Sequence, residues 1–282
     1  MPSIRELARQ TGIPKSTIHD RMRHPETVAK VKGRKEVSLQ DGVVLVASDM
    51  HYWPGEASTA HRAFVKFCKK LKPAIVVMNG DVLDGCAISR HPPIGWNKLP
   101  SVKEELEVCQ KRLREIGTAA GKARKFWPLG NHDARFETRL AQVAPEFKDV
   151  HGISLADHFP EWEGCWSLHL NNNTVIKHRY KGGVHAPLNN TVASGMSMVT
   201  GHLHSQKVTP YTDYSGTRYG VDTGCLADPS HDAFTDYTED NSKDWRSGFC
   251  VLTYRNGCLL YPELVSVFDA DSVQFRGEII EV

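Results

Sequence analysis

A chain of 282 residues, 40% hydrophobic and 24% charged, holds enough apolar material for one large folded domain plus a small appendage, which excludes a disordered or fibrous polymer. No apolar run approaches the ~18 residues needed to span a bilayer, and the N-terminus lacks the apolar core of a secretory signal. Seven cysteines without a CxxC pair suit reduced thiols better than a disulfide frame or a zinc ribbon, so a cytoplasmic protein with no membrane partner is the expectation. The formal net charge of +2 hides an asymmetry, because residues 1–36 carry nine Lys or Arg against four acids.

Residues 3–23, SIRELARQTGIPKSTIHDRMR, open with a Ser-x-x-Glu capping box, Ser3 and Glu6, and keep Ile4, Leu7 and Ala8 on one face. After a turn at Thr11-Gly12-Ile13, Pro14 starts a second helix in which Ile18 and Met22 repeat at a spacing of four. Ala8, Gly12 and Ile18 stand where a helix-turn-helix has its small contact residue, its turn glycine and its aliphatic anchor, so residues 1–24 resemble that all-α DNA-reading motif. The resemblance puts Lys15, Ser16, Thr17, His19, Asp20 and Arg21 on the second helix as candidate DNA contacts. Against it stands the small core that two helices bury without a third; on that reading the segment only docks on the rest of the chain. Residues 25–42 read as a basic linker or short strand, and 43–282 as the main domain.

From Val43 the pattern changes to short apolar strands, VVLVAS (43–48), AIVVM (74–78), KFWPL (125–129), TVIKH (174–178) and SMVT (197–200). Helices are expected near Thr59 to Leu71 and Val102 to Ala119. Beyond His204 the chain reads as strands, with a hairpin turn at Arg255-Asn256-Gly257. Alternating elements followed by strand pairs predict an α/β domain with a mixed sheet.

Every strand of this series runs into metal-ligating groups. VVLVAS leads to Asp49 and His51, AIVVM to Asp81 and Asp84 in NGDVLD, and KFWPL to Asn131, His132 and Asp133 in GNHD. TVIKH ends on His178, and SMVT runs into GHLH with His202 and His204. If extended chain continues there, alternation puts those two imidazoles on one face. Any one motif alone suits a capped turn. All of them in order gather oxygen and nitrogen donors at the C-terminal edge of a sheet, where open α/β sheets bind ligands.

This series resembles the calcineurin-like metallophosphoesterases from about Val43 to Tyr254. The resemblance implies an α/β/β/α sandwich with mixed sheets around a two-metal centre. It assigns Asp49, His51 and His204 to one divalent ion and Asn131, His178 and His202 to the other, with Asp81 bridging. It implies in-line attack on phosphorus by a bridging water that ionises near neutral pH, His132 as general acid held by Asp84, and Asp133 as support for the GNHD loop. Mixed oxygen and nitrogen ligation favours manganese, with iron or zinc as alternatives, over calcium or magnesium. His178 is preferred to His185 because it ends an apolar strand, whereas His185 follows Gly182-Gly183 in a loop and is a candidate substrate contact. Arg90, Arg135 and Arg139 follow motif loops, where they could clamp a phosphate, although solvated charge is the ordinary role for each. His19, His24, His61, His91, His151, His158 and His169 show no ligand context, and His231 stays unassigned.

Protein phosphatases of this family carry arginine directly after the second aspartate of GDxxD and glutamate closing GNHE, where this chain has Gly85 and Asp133. GNHD is shared by nucleases and cyclic-nucleotide phosphodiesterases, and the basic N-terminal segment favours nucleic acid as substrate and partner. A phosphatase or cyclic-nucleotide phosphodiesterase with a small substrate is the alternative within the class. A DNA-binding regulator with a degraded metal site is the alternative outside it. Compact fusions of this kind resemble phage and prophage proteins.

Overall fold

The charged RKEV gives strand β1 (Arg34–Val37), and the β-branched run GVVLVA gives β2 (Gly42–Ala47). There follow α1 (Thr59–Leu71), β3 (Ile75–Met78), α2 (Val102–Ala120), β4 (Arg124–Pro128), α3 (Asp133–Val143), α4 (Leu155–His158), β5 (Glu163–Cys165), β6 (Ser167–Leu170) and β7 (Thr174–Ile176). Then come α5 (Ala186–Ser194), β8 (Ser197–Thr200), β9 (Lys207–Asp213), β10 (Gly216–Asp222), β11 (Gly248–Arg255), β12 (Cys258–Leu259), β13 (Glu263–Val267), β14 (Ser272–Phe275) and β15 (Glu278–Glu281). This computed structural model describes residues 33–90, 96, 98–231, 234, 238, 241 and 243–282. The helix-turn-helix resemblance in residues 1–24 and its contacts Lys15, Ser16, Thr17, His19 and Arg21 lie outside the described residues.

One sheet runs β15-β14-β13-β11-β2-β3-β4-β5 with β12 beside β11, and the other β1-β6-β7-β8-β10-β9. The first is mixed, since β2 to β5 are parallel while β11 lies antiparallel to β2. Period-two alternation explains the layers. Val44 and Val46 of β2 join the core shared with the second sheet, which Leu168, Leu170, Ile176, Val199 and Val221 complete from the other side. Leu45 and Ala47 join the core under α1 and α2, where Phe64 and Phe67 hold Phe249 edge-on at 5.0 and 5.3 Å. Helix α5 packs on β8, β9 and β10 of the second sheet. The order is therefore α/β/β/α, as the family resemblance implies.

Ser58 caps α1 by accepting from His61 N at 3.1 Å, and Ser101 with Glu104 forms a capping box on α2. The predicted Asn-Gly hairpin has φ of 49° at Asn256 and 74° at Gly257, the backbone of a type I′ turn. The start of the domain moves. Arg34–Val37 forms β1 at the edge of the second sheet and the compact unit spans Lys35–Val282, so the sandwich begins before Val43. RKEV is too short and too charged to show a strand period; only Val37 is buried. The seven cysteines are all free, and among the described residues no helix is long and apolar enough to cross a membrane.

His61 of α1 is a structural histidine. Its Nδ1 meets Tyr52 Oη at 2.9 Å and its Nε2 meets Glu115 Oε2 at 2.8 Å. Burial outweighs the Glu115 partner and pushes its pKa down to about 4. Between pH 6.5 and about 4 the unfolded chain therefore takes up a proton that the folded chain refuses, so stability present above 6.5 is lost as pH falls. In urea unfolding across that window, His61→Gln is expected to gain on the wild type by up to about 1.4 kcal/mol per pH unit. A pH-independent difference between the two would contradict the assignment.

Candidate metal centre

The donors sit at the C-terminal ends of five strands. Asp49 and His51 follow β2, Asp81 follows β3, Asn131 follows β4, His178 follows β7, and His202 and His204 follow β8. Main-chain bonds lace the first two loops together, Asp49 N to Gly80 O at 3.0 Å and His51 N to Asp81 O at 2.9 Å. Gly201 N donates to His178 O at 2.9 Å, which joins the second sheet's two loops. The same edge thus receives side chains from both sheets.

Among the described residues three groups of donors form, Asp49 with His51 and His204, Asp81 with His178 and His202, and His51 with Asp84 and His132; within each the ligand atoms lie within 4.8 Å of one another. His204 Nε2 approaches Asp49 Oδ1 at 3.1 Å and His178 Nε2 approaches Asp81 Oδ2 at 3.0 Å. His178 Nε2 is also 3.9 Å from Asp49 Oδ1, so the first two groups adjoin. Asn131 stands between Gly130 and His132, whose backbone N donates to Asp81 Oδ1 at 2.9 Å. Asp49 Oδ1, Asn131 Oδ1, His178 Nε2 and His204 Nδ1 are buried without a hydrogen-bond partner. Orphaned buried donors are costly unless something else completes them, and this set of carboxylate, amide and imidazole atoms fits transition-metal cations.

The electrostatics agree. Burial alone would raise Asp49, yet His204, His178 and His51 hold it well below the usual carboxylate range. Burial would likewise raise Asp81, and His178, His132 and His51 bring it to about 2. Burial disfavours the His178 imidazolium, but Asp49 and Asp81 lift it to about 9.

Tautomers are set from behind. His178 Nδ1 donates to Asn79 O at 2.8 Å and His51 Nδ1 to Asp84 Oδ1 at 3.1 Å, which leaves each Nε2 lone pair facing the cluster. Asp133 accepts from five N–H groups, with Oδ1 on Val82 N and Leu83 N and Oδ2 on Asp81 N, Gly130 N and Trp127 Nε1. It ties the NGD loop to the GNHD loop.

Backbone strain concentrates at these residues. Asp49, His51, Asp81, His202 and His204 all have positive φ, between 41° and 73°. Left-handed backbone away from glycine costs about 1 to 3 kcal/mol and clusters at functional sites. Strand β8 stops at Thr200, so the alternation expected to align His202 and His204 does not hold; two left-handed residues turn both imidazoles to the centre instead. Two glycines permit the close approach. A Cβ on Gly130 would lie 2.0 Å from Asp81 Oδ1, and one on Gly201 would lie 2.4 Å from Asp49 Oδ2.

A calcineurin-like phosphoesterase family model matches residues 42–210, and those residues supply all seven donors. The chain belongs to the calcineurin-like phosphoesterase family. Family membership and the donor cluster make it a metal-dependent phosphoesterase, a hydrolase of phosphoric esters. Among relatives, this phosphoesterase is 25% identical over 255 residues to the Gene 54 protein of Mycobacterium phage L5, covering 79% of this chain and 93% of that protein. Its identity to the Gene 54 protein of Mycobacterium phage D29 is 26% over 261 residues, covering 79% and 93%. Similar solved structures include zinc-complexed Vps29 from Entamoeba histolytica, with TM-score 0.43, 13% identity and coverage of 85% of this chain and 98% of that one. Vps29 from Chaetomium thermophilum gives TM-score 0.44, 10% identity and coverage of 84% and 96%.

Around the phosphoesterase's donors the remaining candidates separate. His178 is buried in the cluster, while His185 is exposed at the N-cap of α5. His132 lies in the site, its ring 4.7 Å edge-on to His51 and its Nε2 3.9 Å from Asp81 Oδ2. Its Nδ1 bonds the Asp84 main-chain oxygen at 2.7 Å, with the Asp84 carboxylate at 3.3 Å and shared with His51. Arg135 reaches the same corner, with Nη1 donating to Asp84 O at 2.9 Å and Nη2 3.2 Å from His132 Nε2. Arg90 and Arg139 are exposed. Phe234 and Trp245 wall the cluster, 5.5 Å from the His51 ring and 4.5 Å from the His204 ring respectively. Sequence reading passed over both, since neither sits in a ligand motif; two aromatics in a polar stretch were the only signal.

Proposed function

We propose that this phosphoesterase holds two divalent ions and hydrolyses phosphodiester bonds of nucleic acid. The adjoining of the Asp49 and Asp81 donor groups through His178 supports the reading, because a carboxylate can share its two oxygens between cations ~3.5 to 4 Å apart. Asp49, His51 and His204 would hold one ion and Asn131, His178 and His202 the other, with Asp81 common to both and manganese favoured over iron or zinc. Ions held by these residues would supply Lewis-acid polarisation of phosphoryl oxygens and would lower the pKa of water toward neutral.

This chain's own groups position and protonate. The attacking water would release one proton to solvent as its oxygen bonds phosphorus and the bond to the leaving oxygen breaks, and His132 would give that leaving oxygen a proton and regain one from solvent. Burial and the Arg135 guanidinium oppose the His132 imidazolium, but Asp84 and Asp81 outweigh them and raise its pKa above the ordinary histidine value. The Arg135 guanidinium beside it offsets charge on the phosphoryl group. The basic N-terminal segment, with Lys15, Ser16, Thr17, His19 and Arg21, adds contacts to DNA. Gly85 in place of the protein-phosphatase arginine, and relatives encoded by phages, favour nucleic acid over phosphoprotein.

With manganese, turnover of bis-p-nitrophenyl phosphate is expected to exceed that of p-nitrophenyl phosphate, and DNA is expected to compete. A chelator should abolish both. Deleting residues 1–24 should spare the small diester and weaken DNA affinity. A preference for the monoester, with no effect of DNA, would contradict the reading.

A further inference from the structure

The loop that leaves His178 carries chemistry that the hydrolytic step does not use. Arg179, Tyr180 and Lys181 are exposed and Lys177 is half-buried. Among the described residues, none of these three cations forms an ion pair. Cations nearby in the fold do, Lys207 and Arg246 with Asp244, and Arg218 with Asp213. The Lys177 and Lys181 ammoniums instead lie 5.4 and 5.9 Å from the Tyr180 ring centre, and that ring is 49% exposed.

The strip is held in place. His178 is anchored on Asn79 O, and buried Asn190 grips the Lys181 main chain, accepting from its N at 3.0 Å and donating to its O at 3.5 Å. Three residues of chain reach at most about 11 Å, so Lys181 stays beside the donors. Open space surrounds Gly182 and Gly183 just beyond. Magnitudes indicate which ligand fits. An exposed cation–π contact contributes about 0.5 to 1 kcal/mol, whereas a base stacked on an aromatic ring contributes about 1 to 3 kcal/mol. A base can therefore displace a lysine from Tyr180, and the freed ammonium can meet a phosphate. Only a strand with unpaired bases offers that face.

We propose that Lys177, Arg179, Tyr180 and Lys181 form a track for single-stranded nucleic acid, which stacks a base on Tyr180 and leads the backbone to the donors. This rests on the nucleic acid reading above and adds strandedness to it.

The test measures binding of the full-length chain to single-stranded and duplex oligonucleotides in chelator, and cleavage of the same oligonucleotides in manganese. Tyr180→Ala is expected to raise Kd for the single strand about tenfold, leaving duplex binding and bis-p-nitrophenyl phosphate turnover unchanged. Arg179→Ala with Lys181→Ala should flatten the slope of log Kd against log salt by about 1.4 for the single strand. Wild-type cleavage of nucleic acid with variants that bind and cut equally would overturn the track alone. A wild type that hydrolyses the small diester but neither binds nor cuts nucleic acid would overturn the nucleic acid reading and the track with it. Equal losses on single strand and duplex, or variants defective only toward anionic lipid vesicles, would also overturn it.

Discussion

Gly130→Ala is expected to lower phosphoester turnover by at least ~10²-fold, although it removes no donor atom. The added Cβ would fall 2.0 Å from Asp81 Oδ1 and 2.5 Å from Asp81 N, so the carboxylate must move by about an ångström or the GNHD loop must back away. Either shift separates Asp81 from Asn131 and His178. Overpacking of this kind costs about 1 to 3 kcal/mol, which a domain of this size can absorb, so circular dichroism should still report a folded chain. Gly201→Ala makes the same point at Asp49, where the new atom would lie 2.3 Å from Ser48 Oγ and 2.4 Å from Asp49 Oδ2. Wild-type turnover by either variant would mean that the donors do not need this approach.

His132→Ala separates the metal centre from the proton donor. General acid catalysis contributes about 10² to 10⁴-fold, and only where the leaving oxygen is too basic to depart without a proton. The variant should therefore lose that factor on alkyl or nucleotide leaving groups and little on p-nitrophenolate, while keeping its metal content. Asp84→Asn should do more harm than loss of one hydrogen bond suggests, because the carboxylate is 3.1 Å from His51 Nδ1 as well as 3.3 Å from His132 Nδ1. Equal losses across leaving groups for His132→Ala would remove the general-acid role.

The donor series was legible because it lies at strand ends, and strand ends are where a short continuous apolar run, VVLVAS or AIVVM, breaks into polar loop. Val44 to Ala47 and Ile75 to Met78 announce themselves, so Asp49 and Asp81 could be placed on one edge before any coordinates. Backbone handedness was not legible. GHLH converges through left-handed turns at His202 and His204, and nothing in the letters distinguishes that from extended chain. Reciprocal contacts made between distant residues were equally hidden. Asp84 bonding His51, and Phe234 with Trp245 lying against the His51 and His204 rings, depend on packing between segments far apart in sequence. Strand β1 was legible only as one of two readings of residues 25–42, linker or short strand, since three of its four residues are charged.

The most direct measurement is the metal content of the purified chain after saturation with manganese and removal of excess, by inductively coupled plasma mass spectrometry, in the wild type and in Asp81→Asn. The account predicts two ions per chain in the wild type and loss of tight binding in the variant. One ion or none in the wild type, or two retained when Asp81 is neutralised, would contradict it.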